Sequence, residues 1–182
     1  MMRAKEDTND GEKQAQWWTP ARVAFATLLG IIVLQALMYY PQLPAQLASH
    51  FDAAGRPNGW SSKPAYFALQ ACIVLVLALC FGALPVWLER APARLVNLPN
   101  KDYWLAPERR ATTMAYVASA LTWFGCAALA FIVVVNGLVI DFNLGYERVL
   151  HANAIWALLG GIAACTVILV LRLLYLGRRP PS

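Results

Sequence analysis

The chain reads as an all-α integral membrane protein: a bundle of four transmembrane helices with both termini cytoplasmic and a turn-rich extracytoplasmic loop. Three observations predict this. Hydrophobic residues make up 59% of the 182 residues and charged residues only 14%, against about 45–50% and about 25% in soluble domains. Four apolar runs, at about 20–40, 65–88, 112–140 and 150–174, are each long enough to cross a hydrocarbon core, which takes about 20 helical residues. The basic residues lie almost entirely in one alternate set of connections. Arg3, Lys5 and Lys13 precede the first run and Arg22 lies at its very start, Arg90, Arg94, Lys101, Arg109 and Arg110 join the second to the third, and Arg172, Arg178 and Arg179 end the fourth. Arg56, Lys63 and Arg148 alone fall on the other side, so twelve of the 15 basic residues share one face. Positive charge is retained in the cytoplasm, which places residues 1–19 and 177–182 inside as tails and the 41–64 loop outside.

Each element has its own local signature. Residues 1–19 are polar and of mixed charge, a composition that cannot bury a core. The run that follows them is too long for a signal peptide and lacks a small-residue cleavage site. Trp17 and Trp18 mark headgroup depth, Tyr39 and Tyr40 form the opposite belt, and Pro41 closes the first helix. The second run is bounded by Lys63 and Glu89, with Pro85 expected to bend or end it. The third is longer than spanning requires, which tilt or an extension beyond the membrane accommodates. On the fourth, Ala157, Gly160, Gly161 and Ala164 recur at four-residue spacing, a pattern that either lets helices approach closely in lipid or reflects only how common Gly and Ala are in membrane helices. Residues 20–176 form the transmembrane domain.

The net charge of +5 does not point to nucleic acid, because the basic residues sit at the ends of apolar runs, where lipid headgroups attract them. Cys72, Cys80, Cys126 and Cys165 all lie within apolar runs with no CxxC pair, so they serve as small packing residues rather than as disulfides or zinc ligands. No cofactor is expected. The central part of each run is free of ionisable groups, which argues against an ion-coupled transporter. Gln35, Gln70 and Asn136 remain there, explained by interhelical hydrogen bonding or by placement at the interface. His50, Asp52, Asp141, Glu147 and His151 are the one set able to supply zinc or a carboxylate–imidazole pair. They match no metal spacing, and the two histidines are expected to stand apart. No nucleophile motif occurs. Three readings follow: a non-enzymatic protein that binds, senses or protects through its outer loop, a small transporter or channel component, and a membrane-embedded metal or lipid enzyme.

The loop from Pro41 to Lys63 is the densest concentration of turn chemistry. A short amphipathic turn is expected over Leu43–Leu47, then a hairpin-like reversal across Phe51 to Trp60. Gly55 and Gly59 are expected to supply positive φ, and Asn58-Gly59 is a strong turn dipeptide. Candidate binding residues are His50, Phe51, Asp52, Gly55, Asn58, Gly59, Trp60 and Lys63. In the connection 89–111, Asn100, Asp102, Tyr103, Trp104, Arg109 and Arg110 suit either an interfacial segment on anionic lipid or a docking face for a cytoplasmic protein. His50-Phe51-Asp52 with Gly55-Arg56 loosely echoes Asp141-Phe142-Asn143 with Gly145 and Arg148. The echo is taken as chance unless two-fold pseudosymmetry accompanies it.

The pattern Leu43-Pro44, His50-Phe51-Asp52, Gly55, Pro57-Asn58-Gly59-Trp60 and Lys63 resembles domain-of-unknown-function family 1648, a bacterial membrane family that includes SdpI-type immunity proteins. The resemblance covers the first helix, the loop and the start of the second helix. The segment Asn97–Trp104, with Pro107-Glu108-Arg109-Arg110, is similar to one in shorter members. It implies a multi-pass protein of the bacterial cytoplasmic membrane, with the bilayer, an extracytoplasmic peptide or toxin and a cytoplasmic protein as partners. SdpI-type proteins have six spans, and four are predicted here.

Overall fold

A computed structural model describes residues 19–98, 100–146 and 152–175. Among them, four helical stretches are long and apolar enough to cross a membrane: Pro20–Tyr39, Lys63–Arg90, Pro107–Asn143 and Asn153–Tyr175. Helix α1 (Pro20–Tyr39) starts where Thr19 accepts a hydrogen bond from the Arg22 N–H and Pro20 occupies the first turn, where its missing donor costs nothing. Beyond Tyr40 the N–H groups of Gln42 and Leu43 both turn back to the Tyr39 carbonyl. Helix α2 (Lys63–Leu77) starts the same way, with Ser62 as cap and Pro64 in the first turn.

The second span does not end at Pro85 but runs five residues past it to Arg90. It widens into a π-helical turn at Ala78–Ala83 and continues as α3 (Leu84–Arg90). A proline inside a helix lacks a donor, and its ring crowds the carbonyl four residues earlier, here that of Phe81. The wider turn is the local adjustment that keeps the neighbouring backbone paired in lipid: the Leu84 N–H reaches back to Leu79.

After Asn100, whose φ of 54° is left-handed, come the short α4 (Lys101–Trp104) and then α5 (Pro107–Asn143). Its 37 residues make a rod of about 55 Å, well beyond a core of about 30 Å. The expected excess is therefore real, and Pro107 begins it far before residue 112. Helix α5 is the axis of the bundle. Spans one and two pack on one side of it and α6 (Ala152–Tyr175) on another. Helix α5 holds buried residues from Thr113 to Ile140, whereas the apolar window of α6 has none buried, as expected of a helix coated by lipid.

Phe25 of α1 is wedged between two glycines. A Cβ on Gly82 would lie 2.9 Å from the Phe25 ring, and one on Gly125 would lie 2.7 Å from that ring and 2.4 Å from the Phe81 Cβ. Around this wedge Phe25, Ile32, Cys126 and Leu129 form the main core. On the fourth span the structure favours the compositional reading of the small residues. A Cβ on Gly160 or Gly161 would meet nothing within 4 Å, and close helix approach occurs instead at Gly82 and Gly125.

Two further structures cap the ends. At one end the 41–64 loop is a β-hairpin, β1 (Gln46–Phe51) and β2 (Pro57–Ser62), so the fold is helical with one two-stranded sheet rather than all-α. Strand β1 starts within the stretch expected to be an amphipathic turn. The strands are antiparallel with Gln46 opposite Ser62 and Ala48 opposite Trp60, and the register shifts twice between Ala48 and Phe51. At the other, basic end, Arg22 and Glu89 form an ion pair at 2.7 Å. The Arg110 guanidinium donates to the Ala91 carbonyl, over a small core of Ala91, Val96 and Met114. The 89–111 connection is thus a folded cap rather than an open loop.

Candidate functional site

The hairpin is fastened to the bundle at three points. Asn143, the last residue of α5, grips Ala48 by both backbone groups: its Oδ1 accepts from the Ala48 N–H at 2.8 Å and its Nδ2 donates to the Ala48 carbonyl at 3.0 Å. The same Nδ2 reaches the Val139 carbonyl at 2.8 Å, which fixes the amide's orientation. Phe51 packs edge-on against Phe142 with centroids 5.0 Å apart. Lys63 donates to the carbonyls of Tyr40 and Leu43 at 3.0 and 2.8 Å, groups that the end of α1 leaves without a helical donor. Its Nζ also stands 4.8 Å from the Tyr40 ring centroid, within cation–π range. Leu47, with no exposed surface, plugs the top of the bundle beside Leu43 and Ile140.

These contacts sort the candidate residues. Lys63 closes the end of α1, and Phe51 anchors the hairpin. Asp52 shapes the tip, its Oδ1 accepting from the N–H groups of Ala54 and Arg56 at 2.9 and 2.8 Å, an Asx-type turn. Gly55 is buried with φ at +78°, as expected. Gly59 is different: its φ is not positive, and it sits opposite His50, whose Cβ would lie 3.0 Å from a Cβ at that position. A side chain there would crowd the cross-strand neighbour, so glycine is favoured by the ladder and not by the turn. His50, Arg56, Asn58 and Trp60 remain at least partly exposed, Trp60 at 63%. Gly55→Val should strain the tip by about 1–2 kcal/mol, measurable as faster amide exchange confined to residues 52–57.

Just below the hairpin the spans carry the expected interhelical hydrogen bonds. The Tyr66 hydroxyl donates to Asn136 Oδ1 at 2.9 Å, and Gln35 Nε2 donates to the Val133 carbonyl at 3.2 Å. Gln70 departs from this pattern: its Oε1 is buried without a partner among the described residues. The comparison of His50 with His151 and Glu147 lies outside the described residues. Among the described residues, no three His, Cys, Asp or Glu side chains gather as a metal group.

At the basic end three of the candidate residues, Tyr103, Trp104 and Arg109, contact one another. The Arg109 guanidinium lies 4.2 Å from the Tyr103 ring centroid, and Tyr103 meets Trp104 edge-on at 5.0 Å. Asn100 supplies the left-handed entry to α4, Asp102 is exposed in its first turn, and Arg110 ties α5 to Ala91.

Asn143 is not among the sequence candidates. The faint echo between 50–52 and 141–143 is its one signal, and the two segments do meet through Phe51–Phe142 and Asn143–Ala48.

Residues 27–75 match the model of the family described as a domain of unknown function, DUF1648. That stretch runs from α1 through the hairpin into α2. No curated protein and no solved structure matches the chain.

Proposed function

We propose that this is a non-enzymatic, multi-pass protein of the bacterial cytoplasmic membrane whose hairpin faces outward and binds a peptide or toxin arriving at that surface. One observation carries the reading. The hairpin is clamped at Ala48, Phe51 and Lys63, while His50, Arg56, Asn58 and Trp60 project from it with accessible side chains. A platform already ordered before binding loses little conformational entropy when a partner arrives. A projecting tryptophan is the kind of side chain that carries binding energy once a partner covers it. The outward orientation rests on the concentration of basic residues at the opposite end. Protection against an envelope-active peptide is the role that the resemblance to immunity proteins implies.

The test pairs topology with phenotype. In a chain whose four cysteines are replaced by alanine, a cysteine at Asn58 should react with an impermeant maleimide on intact cells, and one at Ala93 should not. A deletion strain should be sensitised to a panel of envelope-acting peptides. Trp60→Ala should complement it about tenfold less well than the wild type at equal membrane abundance, the loss of a contact worth about 1.4 kcal/mol. Reversed labelling refutes the orientation. Full complementation by a chain lacking residues 46–61 refutes recognition by the hairpin and moves it to the segment around Tyr103 and Trp104.

A further inference from the structure

A cleft of about 270 Å³ opens between α5 and α6, lined by Ala120, Trp123, Phe124, Cys165, Ile168, Leu169 and Arg172. Its depth in the membrane follows from a contact on the other side of α5. The Cys126 thiol donates to the carbonyl of Ala21, in the first turn of α1, at 3.5 Å. Cys126 therefore lies level with the start of the first span, where the hydrocarbon core begins. Trp123, 47% exposed, is three residues nearer the basic end, about 4.5 Å along the axis. That is headgroup depth, where indoles concentrate.

Of the α6 residues that line the cleft, Arg172 is the nearest to the basic end, three residues before Tyr175. Among the described residues it makes no hydrogen bond or ion pair, and no acidic side chain lines the cleft. A guanidinium toward the basic end with no anion beside it among the described residues is open to an anion from the bilayer. From Arg172 the cleft runs toward the membrane centre past Leu169, Ile168 and Cys165, seven residues or about 10 Å of helix. Its wall there is apolar and aromatic.

The geometry points to a binding site for one anionic phospholipid of the leaflet at the basic end, its phosphate on Arg172 and an acyl chain along the α5–α6 cleft. The two parts fit opposite ends of one amphiphile. A cation at the mouth selects the charged headgroup, since anionic lipid attracts basic side chains near the surface, and the apolar floor takes the chain. The lipid would also cover the flank of α6, which none of its own protein contacts buries.

The test is native mass spectrometry of the purified full-length protein in a non-ionic detergent, titrated with dioleoyl phosphatidylglycerol or dioleoyl phosphatidylcholine. The wild type should retain the first phosphatidylglycerol about fivefold better than phosphatidylcholine, the selectivity one basic residue supplies. Arg172→Gln should bring the two lipids to parity. Cys165→Trp, which fills the floor of the cleft, should weaken retention of both. Arg94→Gln, an exposed charge elsewhere at the same end, should leave the preference intact. Equal retention of the two lipids by the wild type overturns the site. So does an unchanged preference in Arg172→Gln, or a loss in Arg94→Gln as large as in Arg172→Gln. Undiminished phosphatidylglycerol retention by Cys165→Trp overturns the placement of the acyl chain in the cleft. Thermal unfolding of each variant, matched to the wild type, separates loss of lipid from loss of fold.

Discussion

Gly125→Leu is expected to remove the protein from the membrane fraction, and Gly125→Ala to lower its stability by about 1–3 kcal/mol. The larger side chain has no direction in which to escape. Even the first carbon would stand 2.4 Å from the Phe81 Cβ and 2.7 Å from the Phe25 ring. The Phe81 atom is next to backbone, so it cannot swing aside as a long side chain would. Phe25 is also crowded by Gly82, where the gap to a Cβ would be 2.9 Å. Relief therefore requires α1 or the π-helical stretch to move off α5, which opens the core around Ile32 and Leu129. Thermal unfolding in detergent, followed by size-exclusion chromatography, measures the effect. Gly160→Leu is the matched control. Nothing lies within 4 Å of a Cβ there, so its change should stay within about 0.5 kcal/mol. A large loss in Gly160→Leu together with tolerance of Gly125→Leu would place the close helix contact on the fourth span after all.

The contrast between these glycines shows which parts of the fold are legible in the sequence. Apolar runs are local in sequence, and the membrane reads them directly, so all four spans are visible there and most of their borders fall within a few residues of the helix ends. The exception is the start of α5. There Pro107 reads as a loop residue but sits in a first helical turn, which the absent N–H does not harm. Small residues are a different kind of signal. Four-residue spacing cannot say whether a neighbour is present, and the stripe of Ala157, Gly160, Gly161 and Ala164 is the more regular pattern. Gly125 has leucines four residues to either side and Gly82 has only Ala78 at that spacing, and the packing of Phe25 from a third segment is what gives them meaning.

The hairpin is half legible for the same reason. Gly55 and Asp52 act within five residues of one another, through a turn whose chemistry is local. Lys63 reads as an exposed recognition charge because the carbonyls it caps, those of Tyr40 and Leu43, lie some twenty residues earlier. Gly59 reads as a turn residue, whereas its constraint is His50 across the ladder. Asn143 is 95 residues from Ala48, and no local pattern marks an asparagine at a helix end as a clamp rather than a cap.

Asn143→Ala should release the hairpin while leaving the bundle folded. The substitution deletes both bonds to Ala48, and Ala48 is only 3% exposed, so its N–H and carbonyl are left buried without those partners. Leaving such groups unpaired costs about 1–3 kcal/mol. The cost falls on the hairpin, because α5 loses only a side-chain contact to its own Val139 carbonyl. Amide exchange should therefore accelerate by about tenfold or more across residues 46–51, each 1.4 kcal/mol being a factor of about ten, with the unfolding temperature of the bundle nearly unchanged. Asn143→Asp sharpens the test. A carboxylate still accepts from the Ala48 N–H but cannot donate, and it faces the Ala48 carbonyl with a second lone pair. It should thus loosen the hairpin at least as much as alanine does, although it is nearly the same size. If the clamp is what makes the hairpin a preordered platform, Asn143→Ala should also reproduce the complementation defect of Trp60→Ala without touching any exposed side chain. Unchanged exchange at residues 46–51 would mean that Phe51, Leu47 and Lys63 hold the hairpin alone. Faster exchange with intact complementation would separate the order of the hairpin from its use.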